Sequence, residues 1–198
     1  MILTTGYLQA SARSSNMSNK YEQRIVENVN KSLYLETNRY DIFMSHSYLD
    51  KILIYQLIKL FNGAGYSVYV DWINDPELDR EHVTELTAQL LRKRMKCCKG
   101  LSYIATSNIA DSKWCPWELG YFDGFSGEKC CILPVLERLQ PIFFGQEYLG
   151  LYPYIEYDIH NSNKKWDFWV YKSNGEYVSL SEWLEKKDVV WQNSVAKY

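Results

Sequence analysis

No stretch of the 198 residues is apolar for long enough to cross a bilayer, so the sequence gives no membrane span. Met1 to Asn19 is polar and Ser-rich and lacks the apolar core of a secretory leader, and a cytoplasmic protein is expected. Neither charge dominates: 22 Lys and Arg against 24 Asp and Glu leave a formal net of -2, which argues against bulk attraction to nucleic acid or anionic lipid. The five cysteines have no C-x-x-C spacing. Cys97-Cys98 and Cys130-Cys131 are adjacent, Cys115 stands alone, and an odd count cannot pair completely within one chain. Small buried thiols in a reducing compartment are the expectation, with no metal site. What the chain has in quantity is aromatic area, 16% of residues with 17 Tyr and 7 Trp, suited to a packed domain with aromatic-lined clefts.

The pattern along the chain alternates. Met1 to Asn19 is expected to be disordered on composition, and Tyr21 to Leu35 has helical spacing. Tyr40 to His46 is a short apolar run that ends in small polar residues, a buried strand opening into a loop. Ile52 to Phe61 is an amphipathic helix stopped at Asn62-Gly-Ala-Gly65. Ser67 to Trp72 reads as a second strand, Ile73 to His82 as a polar loop, and Val83 to Cys98 as a helix with Leu86, Leu90, Leu91 and Met95 inward. The basic run of Arg92, Lys93, Arg94, Lys96 and Lys99 fits a solvated helix end better than a nucleic-acid patch. Leu101 to Thr106, Lys129 to Leu136 and Tyr154 to Tyr157 supply three more strands. The tail holds a hairpin about Ser173-Asn-Gly175 and a capping box, Ser179 to Glu182, opening a last helix.

This alternation predicts an α/β fold with a flavodoxin-like, doubly wound, five-stranded parallel sheet. The divisions are an extension over 1–37, a domain over 38–160, and a hairpin and helix over 161–198 packed on it. Ligands of such sheets bind beyond the carboxyl ends of the strands, which gathers Ser45, His46, Asp71, Trp72 and the Thr106-to-Trp114 connection at one rim. No acidic cluster follows the first strand, as a response regulator needs, and no phosphate-binding loop, as a flavodoxin needs.

The segment from Asp111 to Gly124 organises the rest. Asp111 or Ser112 can cap its helix, and Pro116 is tolerable in the first turn. Trp114 and Glu118, four apart, share a face, as do Trp117 and Tyr121, while Gly120 and Gly124 allow a close neighbour. A carboxylate amid aromatics is costly unless something uses it; otherwise Glu118 is a surface residue on a well-packed helix.

Tyr40-Asp-Ile-Phe-Met-Ser-His-Ser47, then Asp71, then Trp114-x-x-x-Glu118 after the third strand, in this order and spacing, resemble the Toll/interleukin-1 receptor (TIR) family in its bacterial branch. The likeness covers roughly residues 38 to 160. It implies cleavage of the bond between nicotinamide and ribose in NAD+, with NAD+ as substrate and no cofactor. By that resemblance Glu118 is catalytic, Trp114 lies at the substrate cleft, and Phe43, Ser45 and His46 line the ribose pocket. Asp71 and Trp72 join them as substrate-binding candidates. Ile73 to Val83 resembles a mobile gating loop that contacts the next protomer, although no glycine lies between Asp71 and the second helix. The family further implies an ADP-ribose-derived signal in anti-phage defence, a separate effector protein receiving it, self-association through TIR surfaces, and a phage-derived trigger.

The chemistry is coherent by itself. Nicotinamide departs as a good leaving group, so a single carboxylate that orients the ribose and stabilises the developing oxocarbenium ion suffices. A flat indole can stack a nicotinamide or adenine ring; the alternative for Trp114 is a core tryptophan that anchors its helix. Two other readings stay open: a non-catalytic TIR scaffold module, and a nucleoside 2-deoxyribosyltransferase-like enzyme, which also sets a glutamate on a sugar.

Overall fold

A computed structural model describes residues 1–14, 24, 27–29, 31–32, 39–75, 84–138, 147–159 and 164–193. Its strands are β1 (Leu3–Thr4), β2 (Tyr40–Ser45), β3 (Val68–Tyr69), β4 (Cys98–Ala105), β5 (Cys130–Leu136), β6 (Tyr154–Ile159), β7 (Trp166–Tyr171), β8 (Glu176–Ser179) and β9 (Gln192–Asn193). Its helices are α1 (Thr5–Ser14), α2 (Lys51–Gly63), α3 (Asp71–Asn74), α4 (Glu85–Lys96), α5 (Trp114–Ser126) and α6 (Leu180–Glu185).

The strand order is β3-β2-β4-β5-β6-β7-β8-β9. The first five strands run parallel in the expected flavodoxin-like order, and the rest are antiparallel. The C-terminal hairpin therefore continues the same sheet. Alternate residues of each parallel strand feed opposite faces. Ile42 and Met44 pack with α1, α2 and α6 on one side, while Phe43 packs with Tyr69, Leu101, Tyr103, α4 and α5 on the other. Both faces are covered, which explains the near-continuous apolar runs.

The expected disordered start gives way to structure. β1 lies beside the end of β5, pairing Leu3 with Val135 and Thr4 with Leu136, and the Met1 carbonyl accepts from the Tyr157 amide on β6 at 3.2 Å. The terminal amine meets Glu156 at 2.8 Å and Asp158 at 3.3 Å. Leu3 and Leu8 are buried, so two well-placed leucines outweigh a polar average composition. The helix read over Tyr21 to Leu35 lies largely outside the described residues, as does most of the Ile73-to-Val83 loop.

Two further readings change. The second strand is only Val68–Tyr69, because the chain turns into α3 at Asp71, where the Asn74 side chain accepts from the Val70 amide at 2.8 Å. In α4 the buried side chains are Thr87, Leu91 and Met95, whereas Leu86 stands 76% exposed in the first turn. The tail folds as read: Gly175 takes φ +85 in the turn, and the Ser179 hydroxyl accepts from the Glu182 amide at 3.3 Å.

Candidate active site

β2 carries the site's first wall. Ser45 follows Phe43 by two residues, so both face α5. Phe43 is buried and stacks on Tyr69, with ring centroids 5.2 Å apart, as part of the floor beneath the rim. One pleat higher, the Ser45 hydroxyl donates to Glu118 Oε2 at 2.6 Å, and both residues are 0% exposed. α5 brings the carboxylate there because its N-terminal turn follows directly on the β4 connection. The cap comes from Ser112, whose hydroxyl accepts from the Cys115 amide at 3.3 Å, while Asp111 closes a separate single turn, Ile109–Asp111. Pro116 falls in the first turn, and Gly127 ends the helix in the left-handed region at φ +62.

The opposite face of the rim holds an imidazole in one tautomer. The Trp72 indole N–H, which can only donate, gives its hydrogen bond to His46 Nε2 at 2.8 Å. Nδ1 therefore carries the proton and donates to the Met44 carbonyl at 2.9 Å, so His46 is a neutral ring. Asp71 Oδ1 lies 3.8 Å from His46 Nε2, and both residues are buried. Lys51 sits 3.8 Å above the Tyr48 ring and 5.2 Å from that of Trp72.

Trp114 is half-buried, its ring edge-on to Trp117 at 5.4 Å, and Trp117 stacks on Tyr121 at 5.7 Å. Arg92 lies over both Trp117 and Tyr121, which gives one cation of the basic run a packing role. The base of the Ile73-to-Val83 loop is tied to α4: Asp75 accepts from Arg94 through both oxygens, at 2.5 and 2.8 Å, and from the Tyr69 hydroxyl at 2.7 Å.

Several groups here escaped the sequence reading. Tyr103 is fully buried on β4; burial foremost, with Tyr148, Cys115 and Glu118 adding to it, pushes its phenol far up, so it stays a neutral O–H. The Cys115 thiol donates to the His46 carbonyl at 3.2 Å. Asp50 is buried and joins the β2 and β4 loops through Thr106 and Asn108. A short polar residue in a loop gives no signal of that kind until the loops are brought together. Among the described residues no His, Cys, Asp and Glu cluster is arranged to hold a metal ion.

A cleft of about 520 Å³ lies elsewhere, lined by Asp123, Cys130, Tyr152, Lys172, Trp183 and Trp191 among others. It sits at the amino-terminal end of β5 and β6, away from Ser45 and Glu118, and the chemistry above does not use it.

No family model matches the chain. A Bacillus cereus strain MSX-D12 protein named a probable 3' cyclic ADP-D-ribose synthase, ThsB', is 41% identical over 186 residues, covering 93% of this chain and 95% of that one. A Cytobacillus dafuensis protein named a candidate cyclic ADP-D-ribose synthase, TIR2, is 39% identical over 94 residues, covering 47% of this chain and 25% of that one. The second likeness takes in only part of a longer relative, whereas the first runs almost end to end. On that identity, and on the parallel sheet that presents the W-x-x-x-E glutamate to the end of β2, the chain belongs to the bacterial TIR-domain family.

Proposed function

We propose that this protein cleaves the nicotinamide–ribose bond of NAD+ and closes the remaining ADP-ribose into a cyclic product. The observation that carries the reading is the carboxylate of Glu118, wholly buried, 2.6 Å from the Ser45 hydroxyl at the carboxyl end of β2. Burying a carboxylate is expensive, and a fold that needed only packing would place a leucine there. The names of its relatives, cyclic ADP-D-ribose synthases, support the cyclic product.

In this mechanism the ribose hydroxyls lie against Glu118, with Ser45 holding the carboxylate in place. The C–N bond breaks and its electron pair leaves with nicotinamide, which departs neutral. The oxocarbenium ion is stabilised by the carboxylate, which needs no reorganisation because Ser45 has already oriented it. Capture by a nucleophilic group of the same molecule, with loss of its proton where it carries one, gives the cyclic product; capture by water gives ADP-ribose. The neutral His46, held by Trp72 on the opposite face of the rim, adds no positive charge to the site. A cyclic nucleotide is a diffusible signal, in keeping with a role in anti-phage defence through a separate effector and with assembly through TIR surfaces.

Incubating the purified chain with NAD+ and resolving nicotinamide, ADP-ribose and cyclic product by chromatography with mass detection tests this. Nicotinamide and a cyclic isomer in equal amounts are expected. No release at high protein concentration, with or without extract of phage-infected cells, would leave a scaffold module instead.

A further inference from the structure

Asp50 occupies the N-cap position of α2, where an aspartate ordinarily accepts from the first amides of its own helix. It makes no such bond. Its carboxylate, 3% exposed, is turned across the rim, where Oδ2 accepts from the Thr106 hydroxyl at 2.6 Å and Oδ1 from the Asn108 side-chain amide at 2.7 Å. Thr106 Oγ1 in turn accepts from the Asn108 backbone amide at 3.2 Å, so the donor end of the β4 loop is itself folded around this contact. The turn Tyr48–Asp50 that runs into α2 is capped instead by Ser47, whose hydroxyl accepts from the Leu49 amide at 3.4 Å, which leaves the Asp50 carboxylate for a link between two loops.

What those loops carry gives the link its meaning. Residues 46–50 run from Ser45 to α2, and residues 106–113 run from β4 to Trp114 and Glu118. The walls that meet at the Ser45–Glu118 hydrogen bond are therefore latched a second time, 56 and 58 residues apart in sequence, by charge-assisted bonds. The geometry points to Asp50 as a positioning residue for the ribose-cleaving site: it fixes the separation of the two walls and so decides whether the ribosyl cation is captured within the same molecule or by water. This rests on the NAD+-cleaving reading above.

Asp50→Ser and Asp50→Asn in the full chain test it. Serine is too short to span both partners and leaves the Ser47 cap of the turn before α2 in place, so it separates the latch from helix stability. Asparagine retains one acceptor. Hydrogen exchange of residues 107–113 reads the latch without turnover, with β4 and β5 amides as the folding control. In Asp50→Ser, exchange at 107–113 rises while the strands stay protected. The turnover kcat falls about thirtyfold, the worth of one charge-assisted hydrogen bond, with KM changed less than about threefold. The product shifts from cyclic toward ADP-ribose, a readout that loss of folded protein would not move, and Asp50→Asn falls between. Unchanged exchange at 107–113, or a kcat and product ratio within about twofold of wild type, overturns the proposal. If the wild-type chain releases no nicotinamide, the NAD+ reading fails and the assignment of Asp50 to a ribose-cleaving site falls with it; the exchange result then judges only the latch between the loops.

Discussion

Replacing Glu118 by glutamine should cut activity far more than stability. Gln is nearly the same shape and still offers an oxygen to the Ser45 hydroxyl, now 2.6 Å from a carboxylate oxygen. The bond becomes neutral, which costs roughly 1 kcal/mol of its strength. Against that, the site no longer buries a carboxylate at 0% exposure, a desolvation penalty of several kcal/mol even after relaxation. The two effects oppose each other, so Tm should stay within a few degrees of wild type, each kcal/mol being worth about 2–4 °C for a chain of this size. Turnover behaves otherwise. A preorganised group aimed at a developing charge is worth about 3 kcal/mol, so kcat should drop at least about a hundredfold. Calorimetry and nicotinamide release on one preparation give both numbers. A variant that loses several degrees of Tm, with activity falling only as the folded fraction falls, would show that Glu118 holds the fold and does no chemistry.

Leu3→Ala should destabilise the protein by about 2–4 kcal/mol, measured as a lower denaturant midpoint at unchanged slope, because Leu3 is 1% exposed on a strand built into the sheet. A disordered N-terminus would make the change silent. Gly100→Ala should cost about 1–3 kcal/mol: a Cβ there would come within 2.7 Å of Leu184 Cδ2 and 3.1 Å of the Trp183 ring, forcing α6 away from β4, and a proteolysis assay should find the tail released. Of the five thiols, Cys97 should react quickly with a maleimide and the other four slowly, since those are buried and burial pushes the Cys98, Cys130 and Cys131 thiols upward. Rapid labelling of several would mean that the two faces of the sheet open readily.

The parallel core was legible because its signals are local. Apolar runs ending at His46, Trp72 and Thr106, each followed in turn by helical spacing, leave little choice but a wound sheet, and the rule for its carboxyl rim then gathers Ser45 with the connection that leads to Trp114 and Glu118. What escaped depended on partners distant in sequence. Val70 looks like a strand residue until Asn74 takes its amide and turns the chain into α3. Leu86 fits the apolar stripe of α4 yet stands exposed in its first turn, where periodicity continues but burial does not. Leu3 and Leu8 are too few to be noticed in a polar segment, but the gap between β5 and β6 gives them somewhere to go. Asp50 is the instructive case. Ser47 caps the turn that enters α2, so the Asp50 carboxylate is left for charge-assisted bonds to Thr106 and Asn108, whose donors are delivered by a strand far along the chain. Where a polar side chain is buried away from its best local use, as Asp50 is at the rim and Glu118 is in the interior, the departure marks a candidate site more sharply than the motif does.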